Sequence, residues 1–115
     1  MSISRFHSNQ RMSQMVIHGD TIYLAGQVAS DPKANITTQT EQVLAKIDAL
    51  LAEAGSDKSK ILSAQVWVAN ISHFAQMNEV WDAWVAEGNP PARACIEARL
   101  ATPDLLVEVG IVAAK

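Results

Sequence analysis

"MVIHGDTIYLAGQV", residues 15–28, sets two apolar-rich runs, "MVIH" and "TIYLAGQV", on either side of Gly19-Asp20. A two-residue Gly-Asp step between two such runs is a turn signal. The stretch therefore reads as a β-hairpin. Gly26, inside its second run, reads as a strand or bulge glycine. A lone hairpin is marginal in water, so its apolar face needs partners from the rest of the chain.

Those partners follow in order. "SDPKANI", 30–36, is a loop. Thr38 stands three residues before Glu41, the spacing of a capping box, and Val43, Leu44, Ile47, Leu50, Leu51 and Ala54 recur at helical spacing up to Gly55. This predicts an amphipathic helix over 38–54. "ILSAQVWVA", 61–69, is rich in β-branched and aromatic residues and reads as a strand. Ser72 is placed to cap a second helix in which Phe74, Met77, Val80, Trp81, Trp84 and Val85 line one side before Gly88. Two strands follow, about 92–100 and 105–113, joined through "ATPD".

The order is ββ-α-β-α-ββ within a single domain spanning 1–115, since no repeat, low-complexity run or linker interrupts it. A helical crossover from the hairpin into 61–69 makes that pair parallel, while other neighbours are antiparallel. The prediction is an α+β fold, a mixed sheet with both helices on one face. Tyr23, Trp67, Val107 and Val109 put apolar groups on both faces of the sheet, so self-association should cover the open one.

Composition narrows the function. Of 115 residues, 49% are hydrophobic and 18% charged, and no apolar run approaches the roughly 18 residues that cross a bilayer. No membrane partner is expected. "MSISRFHSNQRMSQ", 1–14, lacks the apolar stretch of a secretory signal, and Cys95 is the only cysteine, so a reducing, cytoplasmic setting is expected. The net charge is −3 and Lys33, Lys46, Lys58, Lys60 and Lys115 form no stripe, which offers a phosphate backbone little to bind. The sequons Asn35-Ile36-Thr37 and Asn70-Ile71-Ser72 then read as chance or as cap chemistry.

His7, His18 and His73 lack metal-ligand spacing and no second thiol joins them, so no metal is expected. No phosphate-cradling glycine motif occurs. What remains is "NPPARACIEARL", 89–100, in which Arg93, Cys95, Glu97 and Arg99 alternate with Ala92, Ala94, Ile96, Ala98 and Leu100. Cys95 reads first as a small buried hydrophobe. Arg93 offers a permanently charged planar fork matched to a carboxylate, stiffened by Pro90-Pro91, or else a surface ion pair to Glu97 or Glu108.

"PARACIEARLATPDLLVEV", 91–109, resembles the C-terminal signature of the RidA/YjgF family of reactive-intermediate deaminases. "TIYLAGQVASDP", "TTQTEQVLAKIDALLAEAG" and "MNEVWDAW" fall, in order, where that family has its hairpin and its two helices. The resemblance implies a chorismate-mutase-like (YjgF-like) fold assembled as a homotrimer, with a ligand cleft at each subunit interface. It also implies cofactor-independent hydrolysis of 2-imino or 2-enamino acids to 2-oxo acids and ammonia. Position by position, it implies that Arg93 binds the substrate carboxylate and that the backbone of Cys95 contacts the ligand. Glu108 would hold the attacking water, and Asn78 would lie near the cleft. Two positions depart from the pattern: Met12 stands where the family often has a cleft tyrosine, and Ala25 where it often has serine.

On this reading Arg93 and Cys95 share a face because both look into the cleft, while Glu97 and Arg99 pair with each other. Two rivals remain open at this point. The cleft could sense a 2-oxo acid or another small carboxylate without turnover, or Cys95 could carry a redox or chaperone role.

Overall fold

The computed structural model describes residues Met1–Lys115. Its strands are β1 (Ile3–Phe6), β2 (Met15–His18), β3 (Thr21–Val28), β4 (Ile61–Val68), β5 (Ala92–Glu97) and β6 (Val107–Ala114), with helices α1 (Ile36–Glu53) and α2 (Phe74–Trp84). The strands form one six-stranded sheet in the order β1-β2-β3-β6-β4-β5. The expected α+β fold with a mixed sheet is present. The hairpin turns at Gly19, whose φ of +62° is costly for any residue with a Cβ.

Four local expectations are corrected. The polar N-terminus contains a strand, β1, which pairs antiparallel with β2 at the sheet's edge. α1 begins at Ile36 rather than Thr38, because the Asn35 side chain accepts the N–H of Thr38 at 2.9 Å and so caps the helix three residues earlier than the capping box would. Ser72 caps nothing: Asn70 caps a 3-10 turn over Ile71–His73 that runs directly into α2. Both sequon asparagines thus serve as caps. Finally, β5 ends at Glu97, where the expected strand ran on to residue 100.

The sheet order also departs from expectation. β3 and β4 do run in the same direction, but β6 lies between them and pairs antiparallel with both. The parallel hydrogen-bonded pair is β4 with β5. β6 earns this central place by its pattern, since Val107, Val109, Ile111 and Ala113 are all buried while their neighbours face the other way.

The core lies between sheet and helices. Met15, Ile22, Val66 and Val107 from the strands meet Val43, Leu44, Ile47 and Leu51 of α1 and Met77 of α2, and all of these are at most 2% exposed. Gln39 is buried among them, yet every polar atom of its amide is used. Its Nε2 donates to the carbonyls of Ala34 and Asp104, and its Oε1 accepts from Leu106 N–H. A buried amide left unpaired would cost about 1–3 kcal/mol. Paired in this way, it staples the start of α1 to the loop that enters β6.

The other face of the sheet carries no helix. Tyr23, Ile96 and Ile3 there are each about half exposed, at 47%, 52% and 48%, and Trp67 lies with its ring against Gly110. Of the four residues expected on both faces, Tyr23 and Trp67 look outward, while Val107 and Val109 enter the core.

Candidate functional site

Register assigns each candidate to a face. In-register neighbours in adjacent strands point the same way. Arg93 pairs with Ala64 and Cys95 with Val66, both buried under the helices, so Arg93 and Cys95 lie on the helix side. Glu108 pairs with Trp67 and sits between the buried Val107 and Val109, so it lies on the open side. Within one chain the two residues are on opposite faces of the sheet. They are also about 10 Å apart across the strands and about 10 Å along them. One copy cannot bring both to a single small molecule.

The arginine half is built by α2. Phe74, Asn78 and Trp81 fall at spacings of four and three, hence on one stripe of the helix, and that stripe faces β5. Arg93 Nη1 donates to Asn78 Oδ1 at 2.8 Å. The guanidinium carbon lies 5.0 Å from the centre of the Trp81 ring and 6.0 Å from that of Phe74. Such cation–π contacts hold the fork in plane while leaving its other N–H groups free. The alternative of an ion pair to Glu97 or Glu108 is overturned: the chain's two ion pairs are His7–Glu53 and Lys33–Asp104. Glu97 and Arg99 do not pair either, because the Glu97 carboxylate accepts the N–H of Ile71.

Cys95, one step further along the same face, is half-buried. Burial raises its thiol pKa, an effect only partly opposed by the Arg93 charge. The thiol is therefore kept protonated and weakly nucleophilic near neutrality.

The glutamate half is built by backbone. The ladder between β3 and β6 shifts register between Leu24 and Gln27, and at this bulge Gly26 lies directly beneath the Glu108 side chain. Gln27 is buried, and its amide donates to Gln14 Oε1 and to the carbonyl of Ala25. Ala25 thus belongs to the glutamate half. Met12 is 41% exposed in the loop before β2, where its N–H is held by Asn9 Oδ1.

The residues expected at the site therefore divide. Arg93, Asn78 and Cys95 come together on one face, and Glu108 and Ala25 meet around Gly26 on the other. Met12 lies in the loop before β2, with its backbone bonded to Asn9. Sequence reading missed Phe74 and Trp81 as walls for Arg93, treating them only as packing, although their 74/78/81 spacing with Asn78 was there to be seen. It also missed Gln39. The histidines are scattered: His7 bonds Glu53, His18 sits on β2, and His73 lies in the 3-10 turn. No helix is long and apolar enough to cross a membrane.

A family model described as Endoribonuclease L-PSP matches residues 2–115. A RutC family protein from Haemophilus ducreyi is 46% identical over 112 residues, 97% of this chain and 96% of the relative. RutC family protein YoaB from Escherichia coli is 44% identical over 114 residues, 99% of each chain. A solved structure of a member of the YjgF protein family from Neisseria meningitidis superposes with a TM-score of 0.97 at 46% identity, covering 100% of this chain and 96% of that one. On its sequence throughout and on its fold, the chain belongs to the RutC/YjgF family.

Proposed function

We propose that this protein hydrolyses reactive 2-imino or 2-enamino acids to 2-oxo acids and ammonia, without a cofactor, in clefts formed between subunits of a homotrimer. The observation that carries the reading is the aromatic-walled, unpaired fork of Arg93, held by Asn78 and free of any carboxylate of its own chain. A rigid fork of this kind suits a substrate carboxylate better than any group the chain itself offers it.

Placement on opposite faces supports the oligomer. Arg93 on the helix side of one copy and Glu108 on the open side of another would meet where the bare sheet face is covered. Two charge-assisted hydrogen bonds from Arg93, worth about 1.5–3 kcal/mol each, would fix the carboxylate and hence C2 of the imine. Glu108 takes one proton from water as its oxygen attacks C2 and passes it to the imine nitrogen, giving a tetrahedral carbinolamine. As the adduct collapses, its hydroxyl gives up the second proton, which Glu108 also relays to the nitrogen; the C–N bond breaks, ammonia leaves with both protons and the water oxygen stays as the 2-oxo group. An imine carbon is already electrophilic, so positioning supplies much of the acceleration and no covalent intermediate is needed. Met12 and Ala25 remove two hydroxyls from the family pattern and would make the cleft less polar around the rest of the substrate.

A net charge of −3 without a basic stripe gives RNA little to hold, which weighs against a ribonuclease role.

Complementation tests the composite site. Arg93→Ala and Glu108→Gln subunits, each inactive alone, are unfolded together, refolded as mixed trimers and assayed on imino acids generated by an amino-acid oxidase. Random mixing should restore about a quarter of wild-type sites, since each site draws one half from each of two copies. No recovery from mixed trimers would sink the shared cleft. Wild-type binding of a 2-oxo acid without imine turnover would replace the enzyme with a carboxylate sensor.

A further inference from the structure

We infer that Gly26 is a positioning residue for Glu108: the bulge in β3 is built to leave out one Cβ, and the glutamate's carboxylate occupies that space. The inference rests on the proposed role of Glu108 and deepens it.

Glycine in a strand usually answers a backbone demand. Gly26 does not, because the glycines with positive φ are Gly19, Gly55 and Gly88, and Gly26 is not among them. Its φ lies outside the left-handed region that calls for glycine. What an L-residue there could not do is keep its side chain clear. A Cβ at Gly26 would fall inside the contact distance of Glu108 Oε2, 2.9 Å from Cδ and 3.2 Å from Cγ.

The bulge holds that bare backbone in place. The register shift between Leu24 and Gln27 inserts the extra residue, and the buried Gln27 amide ties the bulge internally through the Ala25 carbonyl and across to Gln14, just before β2. On the neighbouring strand, Trp67 lies in register with Glu108 and places its ring against Gly110. Glu108 therefore has a gap on one flanking strand and an aromatic residue as its register neighbour on the other. At the entrance to β6, the Gln39 staple fixes where the strand begins. Position is set by backbone and by absence of atoms, with no hydrogen bond to the carboxylate from its own chain.

This gives an unusual expected signature for Gly26→Ala. The added methyl meets only the far end of a flexible, half-exposed side chain, and alanine restricts the unfolded chain more than glycine, so thermal stability should hold or rise. Turnover should nevertheless fall, because a carboxylate displaced by about an ångström can cost about a hundredfold in rate. A glycine needed only for folding would show the reverse.

The experiment compares Gly26→Ala, Glu108→Gln and the double variant for melting temperature, trimer content, imine turnover and affinity for a 2-oxo acid. The expected result is an unchanged or higher melting temperature, retained trimer and 2-oxo acid binding, kcat lowered about a hundredfold, and a double variant no worse than Glu108→Gln alone. A crystal structure of Gly26→Ala should show the Glu108 carboxylate moved off residue 26. Wild-type turnover by Gly26→Ala, a full further loss on top of Glu108→Gln, or an undisplaced carboxylate would each overturn the inference. Failure of the wild-type protein to hydrolyse any imino acid would instead remove the proposed function, and the crystal structure would still decide the positioning of Glu108.

Discussion

The two halves of the candidate site are made in opposite ways. Around Arg93, α2 supplies atoms: an amide oxygen at 2.8 Å and two aromatic rings. Around Glu108, β3 withholds them, leaving a glycine where a side chain would collide. A half built by contacts should weaken step by step as contacts are removed. A half built on a gap should tolerate loss of neighbours and fail when something is added.

The sharpest break is Arg93→Ala. Losing two charge-assisted hydrogen bonds at about 1.5–3 kcal/mol each predicts a fall in kcat/KM of about 10²–10⁴ in steady-state imine hydrolysis. Arg93→Lys keeps the charge but not the fork, and should recover only part of it, with both KM and kcat impaired. Unchanged hydrolysis by Arg93→Ala in a folded protein would end the deaminase reading for this site.

Glu108→Gln should separate the halves kinetically. The amide keeps the shape but takes no proton, so calorimetric affinity for a 2-oxo acid should persist while kcat falls by about 10²–10⁴ for a general base. A fall well below that range would make Glu108 an orienter of water.

Asn78→Ala should cost less. Arg93 keeps its aromatic walls and loses one hydrogen bond of about 1 kcal/mol, so KM should rise about fivefold with kcat nearly unchanged. A larger loss in kcat than in KM would place Asn78 among the reacting groups.

Cys95→Ser marks the lower end, with hydrolysis within about twofold of wild type if only backbone and light packing are contributed. Because the folded thiol pKa is raised, its stabilising effect is full below the thiol's unfolded pKa and lost as pH rises through the folded one. The serine variant should therefore lose less stability at alkaline pH in a melting series, and alkylation of native Cys95 near neutrality should be slower than that of a free model thiol. Rapid alkylation would revive the redox reading.

Legibility followed the range of the forces involved. The hairpin, both helices and the central strands announce themselves through local period and turn chemistry. β1 does not, because an exposed four-residue edge strand buries almost nothing and borrows its order from β2. The strand order was hidden because β6 joins partners far away in the chain. The alternation of Arg93 and Cys95 was visible, but which face they take depends on Ala64 and Val66 across a parallel pairing that no local pattern encodes. Gly26 could be read as a bulge glycine, yet its neighbour is Glu108, 82 positions further on.

The central place of β6 has a consequence for how the protein comes to be folded. β3 and β4 are both made before the strand that must lie between them, so each waits with an apolar flank unzipped until residues 107–114 arrive. Contacts this distant in the chain slow folding, and unsatisfied strand flanks invite pairing with other chains in the meantime. Ribosome speed, crowding and chaperone supply during synthesis should govern the yield of this small protein more than its size would suggest.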